Sequence, residues 1–113
     1  MHDRIRELLL QLGICPKVNG YMHIAYGLEL ILQKPVFLDN ISHRLYPAIA
    51  KRFESTPSRV ERSIRYAIEM MFNRCDFEKI TDILILPPMI NSGKYTNSEF
   101  LAVCAMKLQP EVF

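Results

Sequence analysis

Apolar residues recur at helical spacing along almost the whole chain. Between Asp3 and Leu12, Ile5, Leu8, Leu9 and Leu12 share one face, and Gly13 followed by Pro16 ends the segment. A second helix is predicted from Asn19, read as its N-cap, to about Gln33. Tyr21, Ile24, Ala25, Leu28, Ile31 and Leu32 form its inner face, and Lys34-Pro35 stops it. Val36 to Leu38 reads as a short extended connector. A third pattern covers about Asn40 to Phe53 and contains Pro47, which predicts a kink or a helix that restarts there. The fourth, Pro57 to about Arg74, is the longest and cleanest, and a short fifth runs from Phe77 to Leu84 before Pro87-Pro88. The turn formers Asn91-Ser92-Gly93-Lys94 precede Thr96-Asn97-Ser98-Glu99, a capping box in which Thr and Glu satisfy orphan amides reciprocally. Phe100, Leu101, Val103, Cys104 and Leu108 give that last helix a broad apolar face, and Pro110 closes it. No segment alternates as a strand would, and Ile83 to Leu86 is too short a run to decide between extended and helical. The pattern predicts an all-α fold, about six helices in one domain spanning residues 1–113.

Residues 42–74 have the order of a helix-turn-helix. Ile49, Ala50 and Phe53 line one side of the first helix, and Ala50 is small enough for a close crossing. Glu54-Ser55-Thr56 is a turn of suitable length, without the frequent glycine, so Glu54 falls where such turns often adopt a left-handed conformation. Thr56 suits the N-cap and Pro57 the first helical position, with Ser58 and Glu61 as an alternative capping box. At about 100° per residue, Val60, Ile64, Ala67, Ile68 and Met71 of the fourth helix gather on the side that must bury. Ser58, Arg62, Arg65 and Glu69 lie opposite, flanked by Arg59 and Glu61. Arginine forks onto guanine and glutamate accepts from the cytosine amino group, so this face suits major-groove readout by the start of a second helix. Arg–Glu alternation also describes an ordinary solvated face, so pattern alone leaves both readings open.

Charge shifts that balance. The chain of 113 residues carries a formal net charge of only +2. Between Arg44 and Arg74, however, seven bases (Arg44, Lys51, Arg52, Arg59, Arg62, Arg65, Arg74) oppose three acids, a local +4, and the remainder nets −2. Positive charge concentrated on the helix-turn-helix is what phosphate attraction requires.

Little else suggests chemistry. His2, His23 and His43 are far apart and outside any metal-binding spacing, the four glycines form no phosphate-cradling loop, and Asp76 and Glu78 suit a helix start. No catalytic residue, metal or cofactor is expected. Cys15, Cys75 and Cys104 form no CxxC pair, so neither a disulfide framework nor a zinc ribbon is indicated, and a reducing cytoplasm is the expected setting. No apolar run reaches a membrane span, and the first residues do not read as a secretory signal. Two other readings stay open. One is a protein-interaction module on a helix-turn-helix scaffold that binds no DNA; the other is a small enzyme with a Cys nucleophile.

The run LYPAIAKRFESTPSRVERSIRYAIE, preceded by NGYMHIAYGLELIL and followed by KYTNSEFLAVCAMKL, closely resembles the C-terminal DNA-binding effector domain of the sporulation stage-zero master response regulator family. The resemblance extends from about Ile5 to Leu108. It implies a bacterial, cytoplasmic transcription regulator of six helices that binds double-stranded DNA at a TGTCGAA-like promoter box. It places base reading on Arg59, Glu61, Arg62 and Arg65; Lys51, Arg52 and Ser58 are our candidates for phosphate contacts. It also implies contact with the RNA polymerase sigma subunit through about residues 73–86, although ILILPPMINSGKY departs from the family's pattern, and homodimeric or tandem binding on DNA. The family's regulator carries a phosphorylated receiver domain, for which this chain has no room; it reads either as an excised effector domain or as a stand-alone relative.

Overall fold

The computed structural model describes residues 2–84 and 95–109. Six α-helices are present among them: α1 (His2–Gln11), α2 (Asn19–Gln33), α3 (Tyr46–Arg52), α4 (Pro57–Arg74), α5 (Phe77–Leu84) and α6 (Asn97–Leu108). The described residues form no strand, and no helix among them is long and apolar enough to cross a membrane. The segment 85–94, with Pro87-Pro88 and the Asn91–Lys94 turn, lies outside the described residues, as do Pro110 and the last two positions of the 73–86 region.

The end of α1 shows how local sequence sets a boundary. Gly13 takes φ +82°, its N–H bonds to the Leu10 carbonyl, and the Ile14 N–H reaches back to the Leu9 carbonyl at 3.0 Å. This Schellman closure satisfies carbonyls that the helix end would orphan and drops Ile14 into the core with Leu9.

Two expectations change, and the restart expected at Pro47 is found. Val18, not Asn19, is the N-cap of α2, and it supplies no side-chain hydrogen bond; the chain enters from extended Val18 and Asn19 is already the first helical residue. Residues 36–38 are not extended: Pro35–Asp39 is a 3₁₀ turn with Pro35 in its first turn, where a fixed φ suits helical winding. Proline excludes the helical conformation at the preceding residue, and Lys34 is accordingly extended. The Asn40–Phe53 pattern divides into a π-helical turn, Ile41–Leu45, and α3, which restarts at Tyr46 with Pro47 in its first turn. Asn40 caps the π turn by accepting from the His43 N–H at 3.2 Å.

α2 is the central helix, packing against α1, α3, α4 and α6, and most extensively against α4. Ile24, Leu28 and Ile31 are fully buried on it, with Leu9, Ile49, Ile64, Met71 and Phe100 contributed by its neighbours. Ala25 and Leu32, expected inward, are only partly buried at the edge of this cluster. Two glycines two turns apart let α2 press close to α3 and α4. A Cβ on Gly20 would lie 2.3 Å from the Ser63 carbonyl oxygen and 2.7 Å from the Ala67 Cβ, and one on Gly27 would lie 3.1 Å from Ile49 Cδ1.

Candidate nucleic-acid interface

The turn between α3 and α4 is closed at both ends. Glu54 adopts φ +53°, the left-handed conformation, and the Ser55 N–H bonds to the Ala50 carbonyl at 2.8 Å. This is the same kind of closure as at Gly13, made with a residue whose Cβ disfavours it. Thr56 then caps α4 by accepting from the Arg59 N–H at 3.2 Å, with Pro57 in the first turn; the alternative cap at Ser58 is not used.

The exposed and buried sides of α4 divide as the helical wheel predicts. Val60, Ile64, Ala67, Ile68 and Met71 are buried. Ser58, Arg59, Arg62, Arg65 and Glu69 are exposed and Glu61 is half-buried. The four proposed base-reading residues do not form one cluster, however. Arg59 and Arg62 line a groove of about 470 Å³ on the α2 side of α4. Glu61 and Arg65 line another, of about 510 Å³, on the α6 side, and there Arg65 is 3.4 Å from the Glu61 carboxylate.

Of the residues proposed for phosphate, Lys51 is exposed in the last turn of α3 and Ser58 in the first turn of α4. Arg52 is engaged elsewhere: its guanidinium sits 5.2 Å from the Phe53 ring centroid and 5.8 Å from that of Tyr26. Such stacking holds the guanidinium by its face and leaves its N–H edges available.

Two tethers orient α4, and sequence reasoning missed both. His23 on α2 is buried, and its Nδ1 lies 2.5 Å from Ser63 Oγ. Ser63 donates to the Val60 carbonyl, so it accepts from the imidazole Nδ1–H. Burial lowers the pKa of His23, and its ring meets Phe53 edge-on at 5.2 Å. On the opposite side, the Asn97 amide at the start of α6 donates to Tyr46 Oη at 3.0 Å and to the Glu61 carbonyl at 3.1 Å. The capping box, formed by Thr96 and Glu99, holds that α6 terminus in place. A histidine and an asparagine on helical faces carry no sequence signal for such contacts, because their partners are 40 and 36 residues away.

The cysteines offer no reactive thiolate at the buried position. Cys104 is fully buried and its thiol is pushed far above the usual range, the reverse of what a Cys nucleophile needs. Cys75 donates its S–H to the Leu12 carbonyl at 3.3 Å.

A family model described as sporulation initiation factor Spo0A C terminal matches residues 5–108. That span contains all six helices apart from the first residues of α1, and both grooves beside α4. The chain therefore belongs to the Spo0A C-terminal family, the DNA-binding effector domains of the sporulation response regulator.

Proposed function

We propose that the chain regulates transcription by inserting α4 into the major groove of a TGTCGAA-like promoter box. Arg62 and Arg65 reach base edges, with Arg59 and Glu61 assisting at the rim, and Lys51, Arg52 and Ser58 meet phosphates. One observation carries this reading: three arginines stand exposed on the N-terminal half of a helix whose opposite face is wholly buried. A rigid helix with forked donors on its outer side fits a groove about 12 Å wide, and guanidinium pairs bidentately with guanine there. Free Arg65 is held by Glu61, so binding exchanges that exposed ion pair, worth at most about 1 kcal/mol, for base contacts.

A fluorescence anisotropy titration against a TGTCGAA-like duplex and a scrambled duplex tests the reading. Tighter binding to the box at physiological salt is expected. Equal affinity for both would sink sequence-specific recognition, and salt-independent failure to bind either would favour a protein-interaction module instead.

A further inference from the structure

The groove on the α2 side of α4 contains a cation that the sequence pattern does not connect with DNA. Lys17, in the corner between α1 and α2, lines it together with Asn19 from α2 and with Arg59, Arg62 and Tyr66 from α4. The three α4 residues are a stripe at i, i+3 and i+7, so their side chains emerge along one flank of the helix. Among the described residues no acid lines this groove, although Arg59 also borders an adjoining one with Glu54. The groove on the other flank includes Glu61 and Glu69 beside Arg65.

Three cations line one concavity, and an anion seated among them would be attracted by all three. The corner is held there by helix packing rather than by its own charge. Gly20, three residues beyond Lys17, lets the α2 backbone approach the Ser63 carbonyl more closely than any side chain would allow. A helix in the major groove has a sugar–phosphate backbone on each flank, and the flank along Arg59, Arg62 and Tyr66 is bordered by Lys17. Tyr66 is 55 % exposed, which leaves its hydroxyl free to face the same backbone.

Resting on the DNA-binding reading above, we propose that Lys17 binds a backbone phosphate of the duplex, so that the α1–α2 corner is a second, sequence-independent clamp beside α4. Lys17 approaches the duplex from the α2 side and contacts no base. It fixes the angle at which α4 lies in the groove and adds affinity equally on every sequence.

The test compares wild type, Lys17→Ala, Lys17→Arg and Arg62→Ala on the box and scrambled duplexes over a range of salt concentrations. Lys17 is exposed, so thermal midpoints of its variants should match wild type. Lys17→Ala should weaken both duplexes by the same factor, about fivefold, and reduce the slope of log affinity against log salt by about one unit. Lys17→Arg should keep both. Arg62→Ala should instead erode the preference between duplexes. Unchanged affinity and slope in Lys17→Ala, beside a loss of preference in Arg62→Ala, would overturn the clamp and leave the function standing. A loss confined to the box would also overturn it, because a phosphate contact reads no sequence. Wild-type protein that binds neither duplex would overturn both proposals.

Discussion

The two flanks of α4 use the same kinds of residue and reach different electrostatic states. Toward α2, Arg59 and Arg62 share a groove with Lys17 and, among the described residues, no acid. Toward α6, Arg65 is paired with Glu61 at 3.4 Å, Glu69 stands one turn further on, and Asn97 binds the Glu61 carbonyl. Among the described residues, the groove on the first flank is lined by cations without an acid, which is the charge that an external anion would meet. The second is internally compensated, and its arginine must change partner to act. Net charge on a helix therefore says less than which neighbouring element each side chain faces.

The sharpest way to break this comparison is at the α2 seat. Gly20→Ala would drive a methyl group into the Ser63 carbonyl and the Ala67 side chain, and it should cost about 3 kcal/mol or more. Gly27→Ala meets the far ends of Ile49 and Leu45, and the helix propensity that alanine gains offsets the contact, so stability should change by less than about 1 kcal/mol. Urea denaturation of both variants ranks them; a Gly20 variant no worse than the Gly27 one would mean that the close α2–α4 crossing does not set the basic flank.

Next in size is the contrast between arginines. Arg62→Ala should cost about 1–3 kcal/mol on the specific site and relax base preference there. Arg65→Ala should fall at the low end of that range, because its gain on DNA is offset by the pair with Glu61 that it gives up. Equal losses in a duplex titration would show that the ion pair has no bearing on binding.

A smaller effect is expected at the turn. Glu54 holds φ +53° where Gly13 closes the equivalent end of α1. Glu54→Gly should raise stability by about 1 kcal/mol, since relief of the left-handed strain exceeds the added freedom of the unfolded chain. A fall in the thermal midpoint would count against strain at that residue.

The mildest prediction concerns His23, which joins α2 to α4. Burial lowers its folded-state pKa below the ordinary value of 6.5, so the unfolded chain takes up the proton first as pH falls. Its stabilising effect is complete above pH 6.5 and is lost as pH drops through the folded-state value. Stability measured from pH 7.5 downward should decline in that window for wild type and more weakly for His23→Gln. Identical profiles would remove His23 as the source.

Much of this arrangement is legible in the sequence, for a local reason. Thr56-Pro57 announces the start of α4, Thr96 with Glu99 that of α6, and Gly13 the end of α1, because caps act within a few residues. The inward set on α4 follows from period alone. Asn19 misled because an Asn beside a helix start has the right chemistry one residue too late. Residues 36–38 misled because a proline after an extended residue also opens a 3₁₀ turn.

The amino-acid sequence by itself determined the six α-helices to within a few residues, the turn at 54–56, the buried and exposed sides of α4, and a resemblance specific enough to name the family. All of these depend on residues within a turn or two of each other, or on a motif read as a string. Only the tertiary structure decided that Lys17 joins Arg59 and Arg62 and that His23 and Asn97 tether α4 from opposite sides. Most of those relations depend on how closely separate helices approach, and at the α2–α4 crossing that distance is set by the missing side chain of Gly20.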